Sequence, residues 1–236
     1  MSRRWPQRYP TLLASLPDLA DPARASTAPI SRLRLDRRLA LLEADDAALL
    51  GRIEGMLQWS HQPLVRTEAE IVADGEALLA ELGDDVLGEL VAHRLELRTL
   101  VAALRRRAAG EAPPATGERW GFGPWLRRVP ERWNEAAFGL AGVHRWLPEA
   151  ERMLRSGDAT GLERLLLGLA WERLSRATVG HDFDFPAVVI YVLKWNILDR
   201  WTGAAPGPAA ERFERLAAQT LAGRRTDPGP GREAAA

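Results

Sequence analysis

Cysteine is absent from the 236 residues. That excludes disulfides, thiolate nucleophiles and thiolate metal sites together, and a reducing interior is the expected setting. Long apolar runs are missing too. Nowhere do 18 apolar residues follow one another, so no membrane-spanning helix is expected. The opening Met1-Ser2-Arg3-Arg4-Trp5-Pro6 lacks the apolar stretch of a signal peptide. An excess of one charge is also lacking: 32 basic residues balance 32 acidic ones. A general nucleic-acid binder is usually basic, so that class recedes. Lysine is reduced to Lys194, and a bias of this size toward arginine is more commonly a matter of genome base composition than of a need for guanidinium. The chain has no GxxxxGK[ST], HExxH or GxSxG, and no GxGxxG between a strand and a helix, so the commonest nucleotide, metalloprotease and hydrolase signatures are missing. No cofactor is expected.

What remains is apolar enough to fold: 46% of the residues are hydrophobic and 27% charged. Residues 1–30 hold five of the sixteen prolines and read as an extended, proline-rich N-terminus. Ser31 then caps a helical pattern through Leu33, Leu39, Leu42, Leu49, Leu50, Ile53 and Leu57, with a break near Asp45-Asp46 and a stop at Gln62-Pro63. Thr67 and Glu70 form a capping-box pattern ahead of Ile71, Leu78, Leu79 and Leu82. The clearest helix follows. Val86, Leu90, His93, Leu97, Leu100 and Leu104 fall on one stripe, and Arg105-Arg106-Arg107 occupy the last turn, where cations suit the helix dipole. At 1.5 Å per residue its length is about 33 Å.

The segment from Glu111 to Gly117, with Pro113-Pro114, is the best internal boundary. It divides an N-terminal helical half, 31–112, from a tryptophan-rich C-terminal half, 113–225, and 226–236 reads as a disordered tail. In the second half Trp120-Gly121-Phe122-Gly123 is too rich in glycine for regular structure. Helices are predicted over 130–147, 148–154, 160–177, 186–201 and 209–221. Ala187 to Leu193 is apolar throughout, so the helix over 186–201 should be buried on nearly all sides. With no strand alternation anywhere, the fold class is all-α, built from helical hairpins with no substantial sheet.

Few residues carry a chemical suggestion. His181 with Asp182 and Asp184 could hold a metal or move a proton, although a loop with Asp184 capping the next helix explains the same residues. His93 lies on an apolar stripe and fits a hydrogen-bonded imidazole inside a helix pair. Lys194 follows seven apolar residues. A desolvated lysine can form a Schiff base, but one that snorkels or pairs with Asp199 or Glu172 is the commoner case. Charge is uneven along the chain, with eight acids between residues 68 and 89. The arginines Arg105, Arg106, Arg107, Arg127 and Arg128 then interleave with Trp120, Trp125 and Trp133. Arginine beside tryptophan is the composition of a protein-interface hot spot and also of a base-stacking surface. The neutral total favours the protein interface, for which these eight residues are the candidates; a solvated helix face over a core of rings accounts for them equally well.

Arg94 to Gly110 is an apolar helix that runs through Leu104 and three arginines to a glycine. It resembles the helix-end pattern of the funnel-shaped socket subunit of V/A-type ATPases, a pattern that recurs in each of three repeats. Phe183-Asp184-Phe185-Pro186, leading to Tyr191 and the run from Lys194 to Trp201, resembles the helix that closes such a repeat. The stretch from Tyr9-Pro10 to Leu16-Pro17-Asp18-Leu19 is similar to the start of a bacterial family encoded beside V-type ATPase genes. The resemblance implies about two helical repeats of the socket type and a mechanical role. Such a protein is a non-catalytic subunit or assembly factor of a bacterial proton- or sodium-translocating ATPase, without nucleotide or cofactor. It joins the rotor ring or central stalk, in the cytoplasm and peripheral to the inner membrane through its partners. Two other classes stay open: a helical enzyme with a site at 181–184, and an adaptor for single-stranded RNA.

Overall fold

The computed structural model describes residues 5–57 and 67–203. They form an all-α fold with no strand among the described residues. The helices are α1 (Pro10–Ser15), α2 (Arg32–Leu39), α3 (Ala44–Leu57), α4 (Glu68–Leu82), α5 (Val86–Ala108), α6 (Arg128–Glu131), α7 (Leu147–Ser156), α8 (Ala159–Ala177) and α9 (Phe185–Gly203). No helix among the described residues is long and apolar enough to cross a membrane. The expected helix over 209–221, the tail, Gln62-Pro63 and His61 lie outside the described residues.

Local signals set several of these helices. Thr67 and Glu70 make the full capping box that starts α4, each side chain bonding the other's backbone amide. Asp85 caps α5, its Oδ1 accepting from the Gly88 amide at 2.9 Å, and Asp158 caps α8 through the Gly161 amide at 2.8 Å. α5 runs for 23 residues and is the spine of the molecule: α3, α4, α7 and α8 all pack on it. With neighbours on several sides its burial is wider than one stripe. Leu87, Val91, Leu95 and Val101 are as deeply buried as Leu97 and Leu100, while Val86 and His93 are only half-buried.

α9 is the other central element. Residues 184 to 190 are buried without exception, so this helix shows no polar face over its first two turns. α8 and α3 cover two sides of it. The proline-rich N-terminus covers another: the Tyr191 hydroxyl donates to the Pro17 carbonyl at 2.8 Å, and the Trp195 indole donates to the Ile30 carbonyl at 2.9 Å. That N-terminus is not wholly extended, because Pro10 takes the first position of α1, where its missing N–H costs nothing.

Apolar packing forms two clusters. One joins α1 to α4, the first half of α5, the end of α8 and α9. The other joins the second half of α5, residues 120–147, α7 and the start of α8. The proline segment at 111–117 thus divides the sequence but not the packing, since α9 returns to the N-terminal cluster. An ionic clamp fixes that return. Arg32 donates to both Glu54 oxygens at 2.7 and 3.0 Å, and the Asn196 amide donates to the same carboxylate at 2.8 Å, so α2, α3 and α9 share one carboxylate.

The continuous helix expected over 130–147 does not form. The chain makes α6, a 3-10 turn at Ala136–Gly139 and further turns up to Leu147. Ala137, Phe138 and Gly139 have φ of 49°, 52° and 65°, in the left-handed region. Such a run costs about 1–2 kcal/mol for each residue with a side chain, so distant groups must hold it. Arg107 donates to the Trp133 and Glu135 carbonyls, both at 2.7 Å, and its guanidinium lies 4.1 Å over the Phe138 ring. Glu151 accepts from the Ala137 amide at 2.8 Å and pairs with Arg107 at 3.0 Å. Arg128 donates to the Gly139 carbonyl at 3.0 Å.

Candidate functional site

The candidate arginine and tryptophan residues surround the C-terminal half of α5. Their segment lies flat on the helix because glycine permits it. The Phe122 amide donates to the Thr99 hydroxyl at 2.8 Å, and that hydroxyl donates to the Leu95 carbonyl at 3.0 Å. A Cβ on Gly121 would collide with the Thr99 side chain, and one on Gly75 would collide with the Phe122 ring. Trp120 and Trp133 thereby enter the core, each 8% exposed. Trp125 is half-buried, its indole donating to Glu96 at 2.5 Å.

The arginines divide by role. Arg107 and Arg128 face inward on loop carbonyls. Arg106 pairs with Glu118 at 2.8 Å. Arg105 is exposed at the end of α5, and Arg127 is 91% exposed, with Glu131 at 3.2 Å. Of the eight residues, then, Arg105 and Arg127 present their side chains most fully to solvent.

The outward charge lies on α4 and the start of α5. Of the eight acids between 68 and 89, only Asp85 is buried; Glu68, Glu70, Asp74, Glu76, Glu81, Asp84 and Glu89 are exposed. Several meet arginines from elsewhere in the chain: Glu76 with Arg119, Glu81 with Arg52, and Glu89 with Arg173. Asp85 is held instead by the cap of α5 and by the Trp5 indole at 3.2 Å.

The histidine loop is assembled around a helix start. His181 Nδ1 lies 2.6 Å from Asp184 Oδ2, and Asp184 Oδ1 accepts from the Ala187 amide at 3.0 Å. Asp184 is buried and Asp182 is exposed. Among the described residues no group of three histidine, aspartate or glutamate side chains is arranged to hold a metal ion. Lys194 is half-buried, and its partner is neither Asp199 nor Glu172: the ammonium lies 4.3 Å over the Trp171 ring. Burial pushes its pKa down, against the pull of Asp21.

One cluster is not legible from the sequence. Glu96, one turn after His93, accepts from Trp125 and has His144 Nε2 3.1 Å from the same oxygen. The Trp125 and Trp146 rings meet the His144 ring edge-on. The neighbouring His144 imidazole holds the Glu96 carboxyl below the usual range, with Trp125 helping and burial opposing. Burial, with Arg173 next, pushes the His93 imidazole down from its ordinary 6.5. The pair at 93 and 96 has helical spacing, but His144 is 48 residues further on and leaves no local signal.

No protein-family model, no curated protein and no solved structure matches this chain.

Proposed function

We propose that the protein is a non-catalytic helical connector that works by holding other proteins. The observation that carries this reading is the exposed acidic face of α4 and the first turn of α5, set on a rigid spine whose far end carries Arg105. A face of this sign suits a basic partner surface, and charge complementarity sets orientation and on-rate. The groups with the greatest chemical potential have structural partners. His181 bonds a capping aspartate, Glu96 anchors Trp125, and Arg107 holds a turn. Each of these stiffens the body, as a connector requires.

More specifically, we take the partner to be a bacterial V/A-type ATPase, in which this chain would be a subunit or an assembly factor at the rotor ring or central stalk. That places it in the cytoplasm, peripheral to the inner membrane. The support is the resemblance of Arg94–Gly110, Phe183–Trp201 and Tyr9–Leu19 to the socket protein of such ATPases and to the family encoded beside them; about two repeats would fit the length. The all-α fold agrees with it. Affinity capture of the tagged chain from native membranes in mild detergent tests the reading. Recovery of ATPase subunits, reduced by the double variant Glu68→Lys/Asp74→Lys, is expected. Capture that brings down no ATPase component would sink the specific assignment.

A further inference from the structure

Three parts of the chain meet at one carboxylate oxygen. Glu96 Oε1, on α5, accepts from the Trp125 indole at 2.5 Å, which ties the segment beyond the proline boundary to the helix. His144, on the turns that lead into α7, brings Nε2 to 3.1 Å from the same oxygen. Its ring stands edge-on to Trp125 and Trp146, at centroid distances of 5.5 and 6.1 Å. Nε2 is buried, yet it lies off the line of a hydrogen bond to Glu96 and has no other partner among the described residues. A neutral N–H held in that way leaves its bonding poorly met, whereas the attraction of a charged ring for a carboxylate does not depend on alignment. With Nε2 turned to Glu96, a second proton goes to Nδ1, and the side chain keeps 13% of its surface exposed to receive it.

The surrounding charges leave Glu96 as the acid that His144 meets. On α7, Glu149 pairs with Arg152, and Glu151 pairs with Arg107 and Arg155. Arg145, next to His144 on its own turn, is exposed. His93, one turn before Glu96 on α5, resists charging: burial pushes its imidazole down, and Arg173 and Arg176 of α8 act the same way, as does His144. The Glu96 carboxyl is held below its usual range, so it stays ionised while imidazoles titrate.

We propose that His144 and Glu96 form a proton-operated latch, which fastens residues 140–147 to α5 more tightly as pH falls through the imidazole range. Histidine is the side chain that ordinarily changes charge there. The charged ring draws on the carboxylate more strongly than the neutral one, so the closed arrangement gains on acidification. Val143, 64% exposed, and Arg145 ride on the fastened turn, so a surface offered to solvent becomes better ordered in acid. The latch needs no partner protein and stands apart from the connector reading.

Amide hydrogen exchange of the full chain at pH 7.5 and 5.5, corrected for the intrinsic rate, tests this. The amides to follow are those of Val143 and His144, both bonded to the Leu140 carbonyl, and of Leu147, bonded to the His144 carbonyl. Their protection should rise about fivefold at the lower pH, the order expected when one partner of a half-buried contact gains a charge. The rise should vanish in His144→Gln and in Glu96→Gln, and persist in His93→Gln. If Glu96→Gln fails to fold by circular dichroism, His144→Gln decides alone. No rise in either the wild type or His93→Gln would overturn the latch. So would a rise that survives in His144→Gln, or one abolished by His93→Gln, which would make His93 the titrating group.

Discussion

Ile190 measures what α9 contributes. It is 2% exposed, and removing a buried branched side chain typically costs about 2–5 kcal/mol. A domain has about 5–15 kcal/mol in total, so Ile190→Ala should lower the melting temperature clearly. An unshifted midpoint would mean that α9 is a docking surface rather than core. From the sequence alone His181→Ala should be almost silent. The 2.6 Å contact with Asp184 revises that, because the partner is a buried carboxylate that also caps α9. Asp184→Ala should cost about 1 kcal/mol, the usual worth of a helix cap, with His181→Ala costing less. Thermal melts rank the three.

His93 gives the residue scale a pH dependence. Its folded pKa lies below 6.5, so near that pH the unfolded chain takes up a proton that the folded chain refuses. Stability therefore rises with pH across this window: the contribution is full above 6.5 and is lost as pH falls through the lowered folded value. The groups acting on His93 are Arg173, Arg176 and His144, which push the same way, and Glu96, which opposes them. Glu96, itself held low, adds a loss of the same sign at more acid pH. Urea unfolding of the wild type and of His93→Gln at pH 7.5 and 5.5 checks this. The variant should lose less stability on acidification; a parallel loss would mean that His93 is not the titrating group.

At the scale of the element, legibility follows the range of the controlling interactions. α4 is readable because Thr67 and Glu70 cap it within one turn, and α9 because its apolar run needs no distant partner to declare burial. α1 is hidden because Pro10 and Pro17 read as breaks, although one of them starts a helix. The 130–147 region reads as one helix, yet its conformation is imposed by Arg107 and Glu151, 26 and 14 residues away from groups they bind. The candidate interface is legible as composition only. Which rings turn inward depends on Gly121 fitting against Thr99, a tertiary fact. Arg107→Lys tests the imposed turn: a single ammonium cannot hold the Trp133 and Glu135 carbonyls as Nη1 does and also reach Glu151 as Nη2 does. Hydrogen exchange should speed up at the amides of residues 135–140, including the Ala137 amide on Glu151, while α4 stays protected. Unchanged exchange there would show that the left-handed turn holds itself.

For the whole molecule, a connector role requires a packed all-α body with its acidic face outward. α5 and α8 cross both apolar clusters, and the Glu54 clamp ties α9 to α2 and α3, so a load on one end has a packed route to the other. Zero-length carbodiimide coupling on native membranes, followed by peptide mass spectrometry, tests the connector role, because it joins carboxylates only to amines already in contact with them. Crosslinks are expected from Glu68, Asp74 and Asp84 to lysines of the rotor ring or central stalk of a V/A-type ATPase. Efficient coupling of those carboxylates to other proteins, with none to any part of the ATPase, would contradict it.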